Sequence, residues 1–311
     1  MGERQKADRT VPRRLKGFRD ITAADVLARD RMIARIREIY ERYGFVPLET
    51  PALEYVDVLG KYLPEADRPD GGIYAFQDED DEWIALRYDL TAPLSRFVAM
   101  NLQDLPLPFR RYQVGSVYRV EKPGPDRFRE FCQCDFDVVG TASMLADAEC
   151  CMVMCDTLEA LGVDRGDYIV RINDRKVLNG VLENVATRGE VPPQASLNIL
   201  RSIDKLDRVG LDGVKDLLGR GRRDESGDFK PGVGLATDQI DIVLQYLGTK
   251  VASRAAVCGD LETVVGDSQV GLEGVEELRR IDEALGGAGF DEDRVVIDPT
   301  IVRGLTYYTG P

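Results

Sequence analysis

Two runs of about ten residues, 110–120 and 129–139, place contrasting side chains at alternate positions. Residues two apart in a β-strand share a face, so this period of two predicts two strands, each with a polar and an apolar side. On the second strand the polar side carries Arg129, Phe131, Gln133, Asp135 and Asp137, and the other side carries Cys132, Cys134, Phe136 and Val138. The apolar sides require covering helices, so the pattern predicts an α+β fold with an antiparallel sheet flanked by helices.

A third strand is predicted at 83–89, where Arg87 and Asp89 share a face, and it forms a hairpin with 73–77. Three consecutive antiparallel strands are therefore expected to line one polar surface. An ordinary solvated sheet face is the alternative interpretation, but such a face usually carries Lys, Glu, Ser and Thr. Arginines interleaved with carboxylates favour a binding surface, because the arginine fork suits phosphate and carboxylates suit an ammonium group.

Helical periodicity organises the rest of the chain. It predicts helices at 22–43, 91–101, 145–161 and 174–186, the first capped by Thr22 and ended by Gly44. We divide the chain into a flexible basic N-terminus (1–19), a core (20–186 with 291–311) and a helical insertion (187–290). The β-branched run near residue 297 is expected to return to the sheet of the core.

The chain contains no histidine, which excludes imidazole metal ligands, Ser-His or Cys-His nucleophile pairs and a histidine base. Six cysteines without a C-x-x-C pair are predicted to be buried, reduced thiols, and no metal site is predicted. The net charge of −14 argues against general coating of nucleic acid, although GRGRR (219–223) is either a local contact or a solvated loop. No apolar run approaches the roughly 20 residues of a membrane span, so a cytoplasmic protein without membrane partners is expected.

Five segments in a fixed order then indicate a family. They are YGFVPLETPALE (43–54), LRYDLTAPLSR (86–96), YQVGSVYRVEKPGPDRFREFCQCDFDVVG (112–140), INDRKVLNG (172–180) and IVRGLTYYTG (301–310). Together they resemble the histidyl-tRNA synthetases, which are class II aminoacyl-tRNA synthetases. The resemblance begins near Leu15 and is weakest in the insertion. It implies the class II antiparallel sheet and a homodimer formed through motif 1 at 43–54.

The resemblance also assigns the nucleotide site. In motif 2, Arg119 takes the position of the arginine that binds the ATP α-phosphate and is expected to act in catalysis. Glu121 then lies near the adenine and Phe131 stacks on it, while Arg127 lies in the motif 2 loop near the triphosphate and the tRNA 3′ end. Mg²⁺ is expected to accompany ATP.

For the amino acid, the resemblance assigns residues from three segments. Asp89, Leu90 and Thr91 match the segment that holds the histidine substrate, and Gln133 and Asp137 match the residues that read its ammonium and imidazole groups. Arg303 matches the catalytic arginine of the histidine-specific signature, and Tyr307 and Tyr308 match residues that line the pocket. The signature departs from the family pattern at Thr306, where the family usually has aspartate.

The resemblance implies a ligase that activates L-histidine with ATP to histidyl-adenylate and transfers the histidyl group to tRNA(His). The alternative is a non-catalytic relative that serves as a regulatory subunit of ATP phosphoribosyltransferase in histidine biosynthesis. The chain stops at Pro311, before the family's motif 3 and anticodon-binding domain, and we interpret it as a fragment of a longer protein. The retained motif 2 residues favour the enzyme.

Overall fold

The computed structural model describes residues 11–59, 72–192, 195–224, 227–249 and 253–302. Contacts group the chain into two compact units, Met1–Thr141 and Ala142–Pro311. In the described part of the first unit the elements are α1 (Ala23–Arg42), β1 (Val46–Pro47), β2 (Leu53–Tyr55), α2 (Val56–Leu59), β3 (Ala75–Gln77), β4 (Trp83–Leu86), α3 (Thr91–Asn101), β5 (Phe109–Tyr118) and β6 (Glu130–Val139).

The strands of the first unit form two sheets, with orders β1-β5-β6 and β2-β4-β3. The long β5–β6 pair is antiparallel, as predicted, and β1 adds to β5 in parallel. The three strands predicted to line one polar surface do not form one sheet, because β4 pairs with β2 and β3 instead of β5.

Helix α1 covers the apolar side of β6. The rings of Tyr40 and Phe45 lie 4.9 and 5.3 Å from that of Phe136, and Tyr40 donates a hydrogen bond to the Cys134 carbonyl. The helix ends as predicted at Gly44, whose φ of 79° is a conformation that glycine adopts without strain. The predicted cap at Thr22 is wrong in detail, because its hydroxyl bonds the Asp25 carboxylate and caps no backbone N–H.

Residues just before α1 contact the hairpin loop. The Arg129 N–H donates to the Gly17 carbonyl at 2.8 Å, and Arg129 Nη1 donates to the Lys16 carbonyl at 3.2 Å. The Arg19 guanidinium lies 4.1 Å from the centre of the Phe128 ring. This part of the predicted flexible N-terminus, 1–19, is thus held against the loop, and residues 1–10 lie outside the described ranges.

The second unit is mostly helical. Its described elements are α4 (Met144–Ala160), β7 (Val170–Ile172), α5 (Arg175–Thr187), α6 (Ala195–Ile203), α7 (Leu206–Leu218), β8 (Gly221–Arg223), β9 (Phe229–Pro231), α8 (Thr237–Leu247), α9 (Arg254–Val265), α10 (Gln269–Gly287) and β10 (Val295–Ile297). The strands form two pairs, of which β8–β9 is an antiparallel hairpin that contains part of GRGRR. The predicted insertion is therefore helical with one added hairpin.

Helices α4 and α5, which the sequence predicted as part of the catalytic core, pack with helices of the predicted insertion. Buried Ala148, Cys151 and Cys155 of α4 pack with Ile281 and Leu285 of α10, and α5 shares the main core with α8 and α9. Contacts therefore group α4 and α5 with α6–α10, whereas the sequence assigned the first two helices to the catalytic core. The functional division at 187 and 290 stays a prediction.

Strand β10 and the cysteines agree with the sequence-based predictions only in part. The predicted strand near residue 297 exists, but it pairs in parallel with β7 in a two-stranded sheet of the second unit. Cys151, Cys155 and Cys258 are buried, as predicted for apolar thiols, whereas the prediction is wrong for the exposed Cys132. Among the helices in the described ranges, none is both long and apolar enough to cross a membrane.

Candidate functional site

The polar face of the β5–β6 hairpin carries the residues that the alternation singled out. Its register places four pairs on this face: Arg111 with Asp137, Gln113 with Asp135, Gly115 with Gln133, and Val117 with Phe131. The opposite face carries Tyr112 and Phe136, which lie against Tyr40 of α1. The two-faced strand pair predicted from the sequence is therefore confirmed.

A fully buried arginine lies at one end of this face. The Arg111 side chain is 0% exposed, its Nη2 lies 2.7 Å from Asp137 Oδ2, and it donates a hydrogen bond to the Leu90 carbonyl at 2.9 Å. The contact with Asp137 is an ion pair and not a hydrogen bond, so Asp137 Oδ2 has no hydrogen-bond donor in the described part of the chain. The other two nitrogens of Arg111, Nε and Nη1, have no hydrogen-bond acceptor there either.

A second buried acceptor lies on the same face. Gln133 Oε1 is buried and, within the described ranges, accepts no hydrogen bond. Buried polar atoms are nearly always hydrogen-bonded in folded proteins, so each exception requires an explanation. Two such acceptors on one strand, Gln133 Oε1 and Asp137 Oδ2, indicate a site for a ligand that brings hydrogen-bond donors.

Carboxylates dominate the charge around this face. Asp89 is only 8% exposed, and its Oδ1 accepts from the Ala92 N–H at 2.9 Å at the start of α3. Burial raises the pKa of Asp135 to about 6, with Asp137 and Asp89 adding to the rise and Arg111 and Arg119 opposing it. Burial also raises the pKa of Asp137, against the effect of Arg111 and with that of Asp89. Such a site attracts a cationic group.

Arg119 and Phe131 lie together, next to the segment that follows β4. Arg119 Nε donates to the Tyr88 carbonyl at 3.0 Å, and its guanidinium carbon is 5.1 Å from the centre of the Phe131 ring. Both side chains are half-buried. The pair of a fixed guanidinium and a partly exposed ring is suited to a phosphate linked to an aromatic base.

The loop between β5 and β6 carries the other predicted nucleotide residues. Glu121 and Arg127 form an ion pair, and Gly124 and Arg127 exchange two backbone hydrogen bonds of 3.1 and 3.3 Å. The Arg127 side chain is 65% exposed. For Arg127 to bind a triphosphate, its ion pair with Glu121 would have to open.

Arg87 has a structural position, contrary to the expectation that it lines the polar surface with Asp89. It is 7% exposed and donates to the Ser116 carbonyl at 2.9 Å and the Thr50 carbonyl at 2.7 Å. A Cβ atom at Gly115 would lie 2.5 Å from Arg87 Nη2, so glycine is needed for this approach. Arg87 therefore ties the segments around β2, β4 and β5 together.

The remaining predicted residues divide into described and undescribed ones. Leu90 is fully buried and offers its carbonyl to Arg111, and Thr91 is half-buried at the first position of α3. Arg303, Tyr307 and Tyr308, together with Thr306, lie outside the described residues. The described residues contain no group of three acidic or cysteine side chains that could hold a metal ion.

Sequence reasoning placed Arg111 and Asp135 on the polar face but gave them no role. A signal for Arg111 was present in the loop EKPGPDR, whose central residue is Gly124. Counting 13 residues outward from Gly124 in both directions reaches Arg111 and Asp137, which is the observed pair. A hairpin symmetric about the loop therefore predicts this ion pair.

Known proteins resemble the chain over its whole length. A family model for histidyl-tRNA synthetase matches residues 17–311. The histidine–tRNA ligases of Rhizobium meliloti (strain 1021) and Rhizobium leguminosarum bv. trifolii (strain WSM2304) are 53% and 54% identical to it over 100% of the chain. The chain spans 62% and 61% of the length of these two relatives.

Solved structures share the fold. The crystal structure of histidyl-tRNA synthetase from Nostoc sp. PCC 7120 has a TM-score of 0.79 and 31% identity, covering 97% of this chain and 64% of that one. An ATP phosphoribosyltransferase regulatory subunit/histidyl-tRNA synthetase from Bacillus halodurans C has a TM-score of 0.76 and 23% identity, covering 94% and 69%. At 23% identity the likeness concerns the fold alone.

Proposed function

Because the chain belongs to the histidyl-tRNA synthetase family, we propose that the protein is a histidine–tRNA ligase. It would activate L-histidine with ATP to form histidyl-adenylate and pyrophosphate, and then transfer the histidyl group to tRNA(His). Such a reaction requires no histidine side chain, because the first step is an in-line displacement at phosphorus that positioned cations stabilise. The cytoplasm, where tRNA is charged, is the proposed location.

The observation that carries the proposal is the pair of buried acceptors, Gln133 Oε1 and Asp137 Oδ2. The histidine substrate offers an ammonium group and an imidazole N–H, donors that Gln133 Oε1 lacks and that Asp137 could accept beside its ion pair with Arg111. The motif resemblance implies the same two residues for those groups, and Asp89 would supply a further carboxylate for the ammonium. Leu90, Thr91, Arg303, Tyr307 and Tyr308 complete the proposed amino-acid pocket on the family match alone.

The nucleotide would occupy the side of Arg119 and Phe131. The guanidinium, held by the Tyr88 carbonyl, would meet the α-phosphate, and the Phe131 ring would stack on the adenine. Glu121 would lie near the adenine and Arg127 near the triphosphate. Arg127 would first release its ion pair with Glu121 and then bind a phosphate. As negative charge develops on the phosphorus oxygens, Arg119 and Arg303 would stabilise it.

Mg²⁺ would accompany ATP. This ion binds phosphate oxygens together with one or two carboxylates, and it does not need a cage of protein ligands. The described residues contain no cluster that could hold a metal alone, so they fit an ion that arrives on the phosphates. When bound, the ion would offset part of the triphosphate charge.

A homodimer through motif 1 is the proposed assembly. Large apolar side chains on α1, β1 and β2 are between 43% and 58% exposed: Leu27, Met32, Val46, Leu53 and Tyr55. Exposed apolar patches of this kind commonly mark protein interfaces. A second copy of the chain is the partner that the family match assigns to this surface, and light scattering should report a dimer at micromolar concentration.

Histidine-dependent exchange of pyrophosphate into ATP tests the proposed activity. With the full-length protein, we expect exchange with histidine and little with phenylalanine or leucine. A pocket built on hydrogen bonds can reject analogues that lack the polar group by up to about 10⁴–10⁵, since its own buried groups remain unpaired. Equal exchange with all three amino acids, or none with histidine, would refute the proposal.

The regulatory-subunit alternative receives less support. The relatives at 53% and 54% identity are histidine–tRNA ligases, and the bifunctionally described structure from Bacillus halodurans C shares only the fold. A regulatory subunit also has no need for Arg119 fixed over Phe131. Binding of histidine without any pyrophosphate exchange would favour this alternative.

A further inference from the structure

Arg111 lies between two segments that the proposed function gives to histidine. One is β6, where its Nη2 is 2.7 Å from Asp137 Oδ2, and the other is the turn before α3, where it donates to the Leu90 carbonyl at 2.9 Å. The Arg111 side chain is 0% exposed and that of Asp137 is 20% exposed. A single guanidinium therefore links the imidazole-reading carboxylate to the segment of Asp89 and Thr91.

The charge of Arg111 is directed at carboxylates. Asp137, Asp135 and Asp89 all interact with it electrostatically. Arg87 donates hydrogen bonds to several backbone carbonyls. Arg111 donates to one carbonyl, and two of its nitrogens have no hydrogen-bond acceptor among the described residues. A buried cation in such a position acts mainly by stabilising nearby anions.

The state of Asp137 matters for its proposed role. Only an ionised carboxylate is an acceptor at both oxygens, whereas a protonated one presents an O–H donor to an imidazole N–H. Burial favours the protonated form of Asp137 and so raises its pKa, and the Asp89 carboxylate does so as well. Arg111 is the buried cation that opposes them.

Resting on the proposed function, we infer that Arg111 is a positioning residue of the histidine pocket. Its guanidinium keeps Asp137 ionised and holds Leu90 in place, so that Asp137 accepts a hydrogen bond from the imidazole of the substrate. Arg111 itself touches no substrate atom in this arrangement. Removing its charge should therefore weaken histidine recognition in a way that depends on pH.

The test compares Arg111→Met with wild type between pH 7.0 and 8.5, using calorimetric binding of histidine and the KM values in pyrophosphate exchange. Without Arg111 the pKa of Asp137 rises, and each unit by which it exceeds the assay pH lowers the ionised fraction about tenfold. We expect a histidine Kd raised at least about tenfold at pH 7.0 and recovering toward wild type at pH 8.5. The KM for ATP should change less than about twofold. Dividing the Kd of the variant by that of wild type at the same pH removes the effect of the titration of the histidine ligand itself.

Arg110→Met is the matched control, since Arg110 is the next residue on β5 and belongs to the opposite face. Its guanidinium donates to the Tyr43 carbonyl at 2.7 Å and lies 4.5 Å from the Phe45 ring centre. This variant should show no pH-dependent loss of histidine binding. Arg111→Lys retains the charge, so the ratio of its histidine Kd to that of wild type should no longer depend on pH. A purely steric role of Arg111 would not predict this result.

The outcomes separate the two hypotheses. If wild type fails to bind histidine, the proposed function is wrong and the role of Arg111 falls with it. If wild type binds histidine while Arg111→Met shows the same Kd ratio at every pH, only the role of Arg111 is wrong. Should Arg111→Met fail to fold by circular dichroism, Arg111→Gln retains amide donors without the charge and carries the same expectation.

Discussion

Arg111 of the first compact unit and Arg254 of the second are both buried, and their hydrogen-bonding groups are satisfied differently. In the second unit Arg254, 2% exposed, donates Nε to Asp282 at 2.6 Å and Nη1 to the Val295 carbonyl at 2.9 Å. In the first unit Arg111, 0% exposed, has two nitrogens without hydrogen-bond partners in the described ranges, beside Gln133 Oε1, which accepts no hydrogen bond, and Asp137 Oδ2, whose contact is the ion pair with Arg111. Burying an unsatisfied polar group costs about 1–3 kcal/mol. A buried arginine with unmatched donors beside a polar face fits a binding site, whereas one whose donors are matched, such as Arg254, fits a scaffold.

The largest expected effect is on catalysis. Arg119→Ala should lower kcat for histidine-dependent pyrophosphate exchange by about 10²–10³, because the guanidinium acts on charge that develops in the transition state. Histidine binding and thermal stability should change little, as expected for a residue of the site rather than the scaffold. Arg119→Lys should also be impaired, since an ammonium lacks the paired fork. Exchange near the wild-type rate in Arg119→Ala would contradict the assignment.

The scaffold arginine should give the opposite result. Arg254→Met leaves Asp282 without its partner and should lower the free energy of unfolding by about 3 kcal/mol, measured by urea denaturation. Arg279→Met is the control, because the Arg279–Glu262 pair is 39% and 49% exposed and should contribute less than about 1 kcal/mol. A stable Arg254→Met variant would remove the contrast between the two buried arginines.

Two glutamines of the first unit, each with a buried side-chain oxygen, sharpen the contrast further. Gln133→Met removes an acceptor that has no donor in the described structure, so it should weaken histidine binding by about 1–3 kcal/mol without loss of stability. The Gln113 amide is oriented so that its oxygen accepts hydrogen bonds from Arg87 Nη1 and the Thr50 N–H, and its nitrogen donates to the Thr50 hydroxyl. All of these partners belong to the protein itself. Gln113→Met should therefore lose stability in urea denaturation. Equal losses of stability in both variants would argue that Gln133 is also structural.

The smallest expected effect concerns pH. The pKa of Asp135 is about 6 in the folded protein and near 3.9 in an unfolded chain. The folded state therefore holds this proton more tightly, and the protein loses stability as pH rises from about 4 through 6.

Asp135→Asn removes this loss. At pH 7.5 its free energy of unfolding should exceed that of wild type by an amount on the order of 1–2 kcal/mol, seen as a higher unfolding temperature, and the difference should vanish near pH 4. Histidine should nonetheless bind more weakly at pH 7.5, because a carboxylate of the site is gone. The exposed Asp104→Asn is the control for a general change of charge. A variant no more stable than wild type at pH 7.5 would show that Asp135 has its own structural partner.

The sequence predicted the site best where local geometry decides the outcome. Alternation is a property of the extended backbone, so Phe131, Gln133 and Asp137 could be placed on one face without knowledge of the fold. The C-terminal end of α1 at Gly44 followed from a local signal in the same way. The family resemblance then supplied roles that alternation alone could not.

Tertiary placement decided what the sequence did not predict. Whether Arg87 reaches a ligand or the Thr50 and Ser116 carbonyls depends on which segments lie next to it, and its own neighbours in sequence carry no such information. The same holds for β4, which alternates like β5 but pairs in a different sheet, and for β10, whose β-branched residues fit either sheet. Periodicity gives the faces of a strand, and only packing gives its partner.

The symmetry of the β5–β6 hairpin about Gly124 limits how this chain can change length. Deleting one residue within β6 would move every later side chain to the other face, so that carboxylates would enter the aromatic cluster on α1. Insertions between residues 121 and 128 leave the ladder untouched, although Arg129 is anchored to Gly17. Natural or engineered variation in length is therefore expected inside that loop, and the two strands should tolerate substitutions but neither insertions nor deletions.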